Sequence, residues 1–201
     1  MKGLLLVSSG FDSAVAGHLM KRQKVDLIAV HFGREDSQQE RWTEQILNKI
    51  DVKKLYIVEL APTLEAFLEK AQERFACVFC KRMMLRIAER IAEKEECDFL
   101  VTGDSLGQVA SQTLHNLSVV DSAAKIKILR PLLGRDKKDI MDLAKKIGTY
   151  DISKQSTNCC AFVPKSPATK STLEQIEAEE KKIDIKEIIE KRLKSVKIKN
   201  L

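Results

Sequence analysis

Aromatic side chains are scarce in this 201-residue chain: they make up 5% of it, with a single Trp and two Tyr. That scarcity argues against a design built on stacking successive bases of a single-stranded nucleic acid. Long apolar runs are also missing. None approaches the roughly 18 residues that a membrane-crossing helix needs. The apolar start, residues 4–7, is too short for a secretory leader and lacks a cleavage-type ending. No membrane partner is expected, and a cytoplasmic location follows by default. The five cysteines are an odd number and build no tidy disulfide framework. In a reducing compartment, Cys77-Val78-Phe79-Cys80 and the adjacent Cys159-Cys160 point instead to metal or sulfur chemistry. Cys97, at the start of an apolar strand, reads as core. There is no internal repeat, low-complexity tract or long linker. The pattern G-x-x-x-x-G-K-[ST] is absent, as is G-x-G-x-x-G, so neither a P-loop NTPase nor a dinucleotide-binding fold fits.

What is present describes a globular chain. Hydrophobic residues make up 44% of it, enough for one domain with a sizeable core. Thirty-five basic against 29 acidic residues leave a net charge of +6. That balance permits an RNA partner and equally describes a solvated, lysine-rich surface. Buried-strand patterns alternate with helical ones, which predicts an α/β fold with a doubly wound, mostly parallel sheet. Strands are expected at 3–7, 25–32, 53–60, 98–105 and near 126–129, with helices at about 12–23, 63–75, 80–95 and 136–147. Another helix is marked by Trp42, Ile46, Leu47 and Ile50. The Cys77/Cys80 pair is expected to interrupt the helices on either side of it, and Gly148 to stop the helix before it. Residues 1–170 are read as the main domain and 171–201 as a helical extension packed on it. In that extension Ser171 to Glu174 resembles a capping box, and Ile185, Ile188, Ile189 and Leu193 form an apolar stripe. From 191 to 201 the charged residues are all basic. A packed helix with a frayed basic end is favoured there over an RNA-binding arm.

The stretch LLLVSSGFDSAVAG, residues 4–17, runs from a buried strand through a small-residue turn into a helix. Such a turn makes a cup of backbone N–H groups at a helix N-terminus, with Gly10 allowing close approach and Ser8, Ser9 and Ser13 supplying hydroxyls. Asp12 suits an anion site only if a divalent cation stands between it and phosphate, which points to Mg²⁺. An ordinary strand–helix turn is the alternative.

SSGFDS resembles the S-G-G-x-D-S pyrophosphate loop of the adenine-nucleotide alpha-hydrolase superfamily (the PP-loop, HUP-like fold), with Ser9 in place of the first glycine. Those enzymes split ATP between its alpha and beta phosphates. Four longer stretches, KRMMLRIAERIAE (81–93), LVTGDSLGQVASQTLHNL (100–117), LRPLLGRDKKDI (129–140) and CCAFVPKSPATK (159–170), are similar to the 4-thiouridine synthetase family of tRNA sulfurtransferases. The resemblance implies an ATP-dependent enzyme that adenylates a uridine carbonyl and replaces its oxygen by sulfur. It implies ATP contacts from Ser8, Ser9, Gly10, Phe11, Asp12, Ser13, His31, Phe32, Gly103, Asp104 and Gln108, and catalytic roles for Asp12, Lys137 and Cys160. His31 read by itself is a buried core histidine, Asp104 a helix cap, and Lys137 one of many exposed lysines. In the family a THUMP RNA-binding region precedes the catalytic part. Its absence here leads to the expectation that tRNA is engaged through a separate RNA-binding partner. Residues 125–146, with eight basic side chains against three acidic ones, are the best candidate stripe for RNA phosphates, or else plain surface decoration.

Cys77 and Cys80, with Cys159 or Cys160, resemble the three-cysteine set of archaeal-type thiolases, which hold an iron–sulfur cluster with one open position. A [4Fe-4S] or [3Fe-4S] cluster is expected ahead of zinc, with buried or redox cysteines as the remaining reading. The sulfur donor is expected to be sulfide or a persulfide carrier, and a homodimer is the default assembly. Two other functions stay open. One is an ATP pyrophosphatase acting on a small-molecule acceptor, and the other is a non-catalytic ATP-binding subunit of a thiolation complex.

Overall fold

The computed structural model describes residues 1–155 and 161–201. The apolar run of β1 (Lys2–Val7) gives a strand buried on both faces, as parallel strands covered by helices must be. It lies at the centre of a six-stranded sheet of order β5-β4-β1-β2-β3-β6. β2 (Asp26–Phe32) flanks β1 on one side, with Leu4 opposite Ile28 and Leu6 opposite Val30. β4 (Phe99–Val101) flanks it on the other, with Gly3 opposite Phe99. β3 (Lys54–Val58) and β5 (Lys127–Leu129) extend the parallel sheet outward.

Alternation along the strands sends successive residues to opposite faces, and two cores follow. On one face Leu5, Ala29, Leu55 and Ile57 pack with Val15 and Ala16 of α1 (Phe11–Arg22), Leu47 of α2 (Gln38–Lys49), and Ile140 and Ala144 of α6 (Lys137–Lys146). On the other, Leu4, Ile28, Val30 and Val58 meet Met83, Ile87 and Ile91 of α4 (Ala76–Lys94). Phe67 of α3 (Ala61–Leu68) stacks on Phe79 at 4.0 Å between ring centroids. α5 (Leu114–Asp121) packs on α4, and α7 (Tyr150–Lys154) joins the α2 and α6 side. Among the described residues no helix is long and apolar enough to cross a membrane.

The structure corrects three expectations. The cysteine pair does not interrupt helices. A short 3₁₀ turn at Glu73–Phe75 leads straight into α4, which carries Cys77 and Cys80 in its first turns. The capping box opens α8 (Leu173–Glu180) one residue later than read, with Thr172 and Gln175 exchanging the two hydrogen bonds. The basic end does not fray. After α9 (Ile185–Lys194), whose apolar stripe packs on the α4 core, residues Lys197–Asn200 form β6, antiparallel to β3. Lys199 ties this strand down by bonding Glu40, which is fully buried, and Glu44 at 2.9 Å.

Of two further ion-pair clusters, the first ties helices to one another and the second ties the end of α4 to the sheet. Glu180 of α8 takes bidentate bonds from both Arg82 (2.8 and 3.0 Å) and Arg86 (2.7 and 2.8 Å) of α4. Arg82, 1% exposed, also donates to the Val119 carbonyl and to Ser122 Oγ of the α5 segment. Glu95, just past α4, accepts from Lys54 (2.8 Å), Lys2 (3.3 Å) and the Tyr56 hydroxyl. Burial alone would raise the Glu95 pKa, but these donors outweigh it and hold the carboxyl at about 2. A carboxylate depressed on folding contributes stability above its unfolded pKa of 4.5 and loses it as pH falls toward 2. Thermal midpoints are therefore expected to hold steady above that value and to drop through this window. Glu95→Gln should flatten the drop, as a pH series of melting curves would record.

Candidate functional site

The order in which strands are added reverses between β1 and β4, which run parallel: β2 and β3 build one way from β1, and β4 and β5 the other. In open α/β sheets ligands bind beyond the carboxyl ends of the strands at this switch point. The loops that leave β1 and β4 meet there. Ser13 anchors the first loop, accepting from the Ser8 N–H at 3.0 Å and lying 3.1 Å from the Ser8 and Gly10 carbonyls. Gly10 precedes α1 as its N-cap without a side-chain cap, so the helix opens on bare backbone N–H groups. Ser9 is buried with its φ outside the left-handed region, so the serine in place of glycine adds no backbone strain. Gly103, after β4, touches the first loop so closely that a Cβ would fall 2.6 Å from the Ser13 backbone nitrogen.

Between these loops and α4 lies a cleft of about 220 Å³ bordered by Ser8, Asp12, Ser13, Lys81, Gly103 and Asp104. Lys137, at the start of α6, crosses the face of Phe11 at 4.3 Å from the ring centroid. It bonds both Asp12 carboxylate oxygens, at 3.1 and 3.0 Å, and Gln108 Oε1 at 2.7 Å. Three side chains, Phe11 and Asp12 from the first loop and Gln108 from beyond β4, thus converge on one ammonium.

Asp104 is not the helix cap that its surroundings in sequence suggested. It is a largely buried carboxylate bonded by Lys81, Thr102 (2.8 Å), Gln112 (3.2 Å) and Arg130 (3.3 Å). Burial pushes its pKa up, yet Lys81 above all, with Thr102 and Arg130, holds it at about 2. His31 and Phe32 lie one strand away on β2 and do not border this cleft. His31 is 4% exposed, with Nδ1 at 3.1 Å from the Val7 carbonyl oxygen. Its pKa is pushed down, chiefly by burial. The basic stripe turns partly inward, since Arg130 and Lys137 both serve the cleft.

Cys77 and Cys80 border a second cavity, of about 190 Å³, together with Leu64, Ser111, Phe162 and Val163. Cys80 Sγ lies 4.0 Å from Met84 Sδ. Cys159 and Cys160 fall outside the described residues, and with them half of the expected metal set. Among the described residues no group of three or more His, Cys, Asp or Glu is placed to hold a metal ion. Cys97 packs against the α4 core, and burial pushes its thiol up to about 11.

Sequence reasoning missed Lys81 and the inward turn of Arg130. The signal for Lys81 was available in its helical spacing, one turn past Cys77 and on the same face.

A family model described as thiamine biosynthesis protein (ThiI) matches residues 1–185. A probable tRNA sulfurtransferase of Alkaliphilus oremlandii is 39% identical over the whole chain, which covers 53% of that protein. One from Methanocaldococcus jannaschii is 39% identical over 92% of the chain and 50% of its own length. The chain therefore spans about half the length of the curated relatives it matches. A crystal structure of a 4-thiouridine synthetase–RNA complex with bound ATP superposes with a TM-score of 0.93 at 33% identity, covering 98% of this chain and 54% of that one. NMN synthetase from Francisella tularensis shares the fold alone, with a TM-score of 0.59 at 17% identity over 94% of this chain and 75% of its own.

Proposed function

The chain belongs to the thiamine biosynthesis protein (ThiI) family, and from that premise we propose that it is the ATP-dependent, adenylating part of a tRNA sulfurtransferase that makes a 4-thiouridine-type nucleoside. The observation that carries the reading is the convergence of Asp12, Gln108 and Phe11 on Lys137, at the mouth of the β1 loop.

ATP would lay its phosphates on the Ser8–Ser13 loop, where the α1 N-terminus favours negative charge. The uridine carbonyl oxygen attacks the alpha phosphorus. The bond to pyrophosphate breaks, its electron pair leaves with pyrophosphate, and the ring N–H proton goes to solvent. Lys137 is placed to meet the charge that builds on the phosphates, exchanging its contact with Asp12 for one with the nucleotide. Asp12 would hold Mg²⁺, which supplies further neutralisation of phosphate charge. Hydrosulfide would then displace AMP directly. A persulfide would do so through its outer sulfur, after which a second thiol attacks the carrier's sulfur. That breaks the S–S bond, frees the thionucleoside and leaves a disulfide on the protein.

Cys77 and Cys80 suit soft-metal ligation, one helical turn apart near the N-terminus of α4. With Cys159 or Cys160 they would hold an iron–sulfur cluster, which supplies an iron with an open position for sulfur. In the alternative use of the thiol, Cys160 carries the persulfide. A cytoplasmic setting agrees with thiols used in this way.

Anaerobically prepared protein given ATP, tRNA and sulfide is expected to form AMP, pyrophosphate and thiolated nucleoside in step. The absence of both pyrophosphate and thionucleoside would sink the reading. Lys137→Ala should slow pyrophosphate release by about a hundredfold, the usual cost of removing one preorganised charge-stabilising group.

A further inference from the structure

Gln112 borders the same cleft as the β1 loop. Its backbone is locked, because it closes a short 3₁₀ turn at Ala110–Gln112. Its N–H bonds the Val109 carbonyl at 2.8 Å, and its own carbonyl takes the Gly107 N–H at 3.0 Å. The side-chain Nε2 donates to Asp104 Oδ1 at 3.2 Å. That carboxyl, held at a pKa of about 2, is ionised and can only accept, so the amide has a single orientation. Oε1 therefore faces away from Asp104. It is buried and has no hydrogen-bond partner among the described residues. A buried acceptor without a donor costs free energy, which a donor on a ligand would return.

A donor stands beside this acceptor. Lys81 Nζ bonds the same Asp104 oxygen as Gln112, while Thr102 and Arg130 take the other one. One carboxylate thus holds an ammonium and an amide side by side. Asp104 follows Gly103, which lies against the Ser13 backbone, so the pair stands next to the phosphate loop rather than a nucleoside's length from it. The base that attacks the alpha phosphorus has to come to that place. Uracil carries a ring N–H between two carbonyl oxygens, whereas cytosine has a bare ring nitrogen at the same position. A base taken out of its stack is read on this edge. A fixed, buried acceptor tells the two bases apart, because the wrong one leaves it unpaired.

We propose that Gln112 is the residue that selects uridine: its Oε1 accepts the ring N–H of the target base, while Lys81 donates to the carbonyl on the far side. The reacting carbonyl oxygen is then left facing the phosphate loop. The assignment rests on the sulfurtransferase reading above. Gln112 takes no proton; the ring proton still goes to solvent as the oxygen–phosphorus bond forms. Accepting from the ring N–H also shifts electron density onto the attacking oxygen, so the contact that selects the base helps to activate it.

The test compares oligouridylate with oligocytidylate, with each Kd measured by fluorescence anisotropy. ATP Kd is followed by calorimetry and tRNA-dependent pyrophosphate release by a separate assay. The parent protein should prefer oligouridylate by about tenfold or more. Gln112→Met is close in shape and lacks the amide. It should bring the two Kd values within about threefold of each other and keep the ATP Kd within about threefold of the parent, while pyrophosphate release falls about tenfold. Gln112→Glu keeps an acceptor oxygen in either protonation state and should recover most of the preference. A parent protein without the preference would overturn the proposal, as would a Gln112→Met protein that keeps it. Equal weakening of both oligonucleotides and of ATP would reduce Gln112 to a tether for Asp104, and the proposal would fall. Should Gln112→Met not fold, Gln112→Asn draws the oxygen back by one methylene and should lose the preference; keeping it would again overturn the proposal. If the parent prefers oligouridylate but releases no pyrophosphate with ATP and tRNA, the sulfurtransferase reading falls while the effect of Gln112 on base preference is still decided.

Discussion

Gly103→Ala is expected to cut ATP-dependent pyrophosphate release by about a hundredfold or more, because a shift of about 1 Å in a reacting group costs that much. The new methyl group would sit 2.6 Å from the Ser13 nitrogen, 2.8 Å from the Asp12 carbonyl carbon and 2.9 Å from the Ser13 Cα. All three are backbone atoms, so no side chain can swing aside to relieve the clash. The loop from β1 has to move as a unit, and it carries Asp12 away from Lys137 and Gln108. Weaker ATP binding should accompany the slower rate. Gly134 provides the control, since a Cβ there meets nothing within 4 Å and Gly134→Ala should leave turnover near the parent level. Calorimetric ATP titration with a pyrophosphate assay decides the matter. A Gly103→Ala protein with parental affinity and rate would show that the two loops do not form one binding surface.

Glu180→Ala should produce the largest loss of stability. It strips a 6%-exposed carboxylate from between Arg82 and Arg86 and leaves the 1%-exposed Arg82 charge without its counter-ion. Breaking one side of a buried pair costs about 3–5 kcal/mol. For a chain of this size that corresponds to a fall of about 10 °C in thermal midpoint. The folded Glu180 carboxyl is held below the usual carboxylate range: burial pushes it up, but the two guanidinium groups outweigh that. Its stabilisation is therefore present above the ordinary glutamate pKa and fades as pH drops below it. A melting point within the scatter of the parent protein would mean that the α8 attachment contributes little. The same loosening should reach α4, the helix that bears Cys77, Cys80 and Lys81.

Much of this architecture was readable in advance because the signals were local. The continuous apolar run of β1 and the i, i+3, i+4, i+7 pattern of Ile140, Leu143, Ala144 and Ile147 depend only on neighbours. So does Gly148, which takes φ +73° at the end of its helix. The turn that carries β1 into α1 was legible for the same reason. What escaped notice depends on distant partners. Glu180 looks like any acid on an amphipathic helix until Arg82, 98 positions away, is brought beside it. Lys81 reads as surface charge until Asp104 faces it. Lys197, Ile198 and Lys199 read as a solvated tail, because alternating lysines on an edge strand have the composition of a disordered end. The offset between α3 and α4 was misplaced because a cysteine pair suggested a break, although Ala76 to Lys94 contains no residue that stops a helix.

The antiparallel closing strand also has a consequence for synthesis. Lys54 of β3 pairs with Asn200, so the outer edge of β3 stays without its neighbour until the segment about 140 residues further on has been made. An unpaired edge of that kind is the part of a nascent protein most open to wrong partners, including other copies of itself. Pairing across such a span is also slow, because the loop it closes is long. A chain that ends before residue 197 should thus carry the sheet with one sticky margin, and docking of Lys197–Asn200 on β3 is the step that seals it.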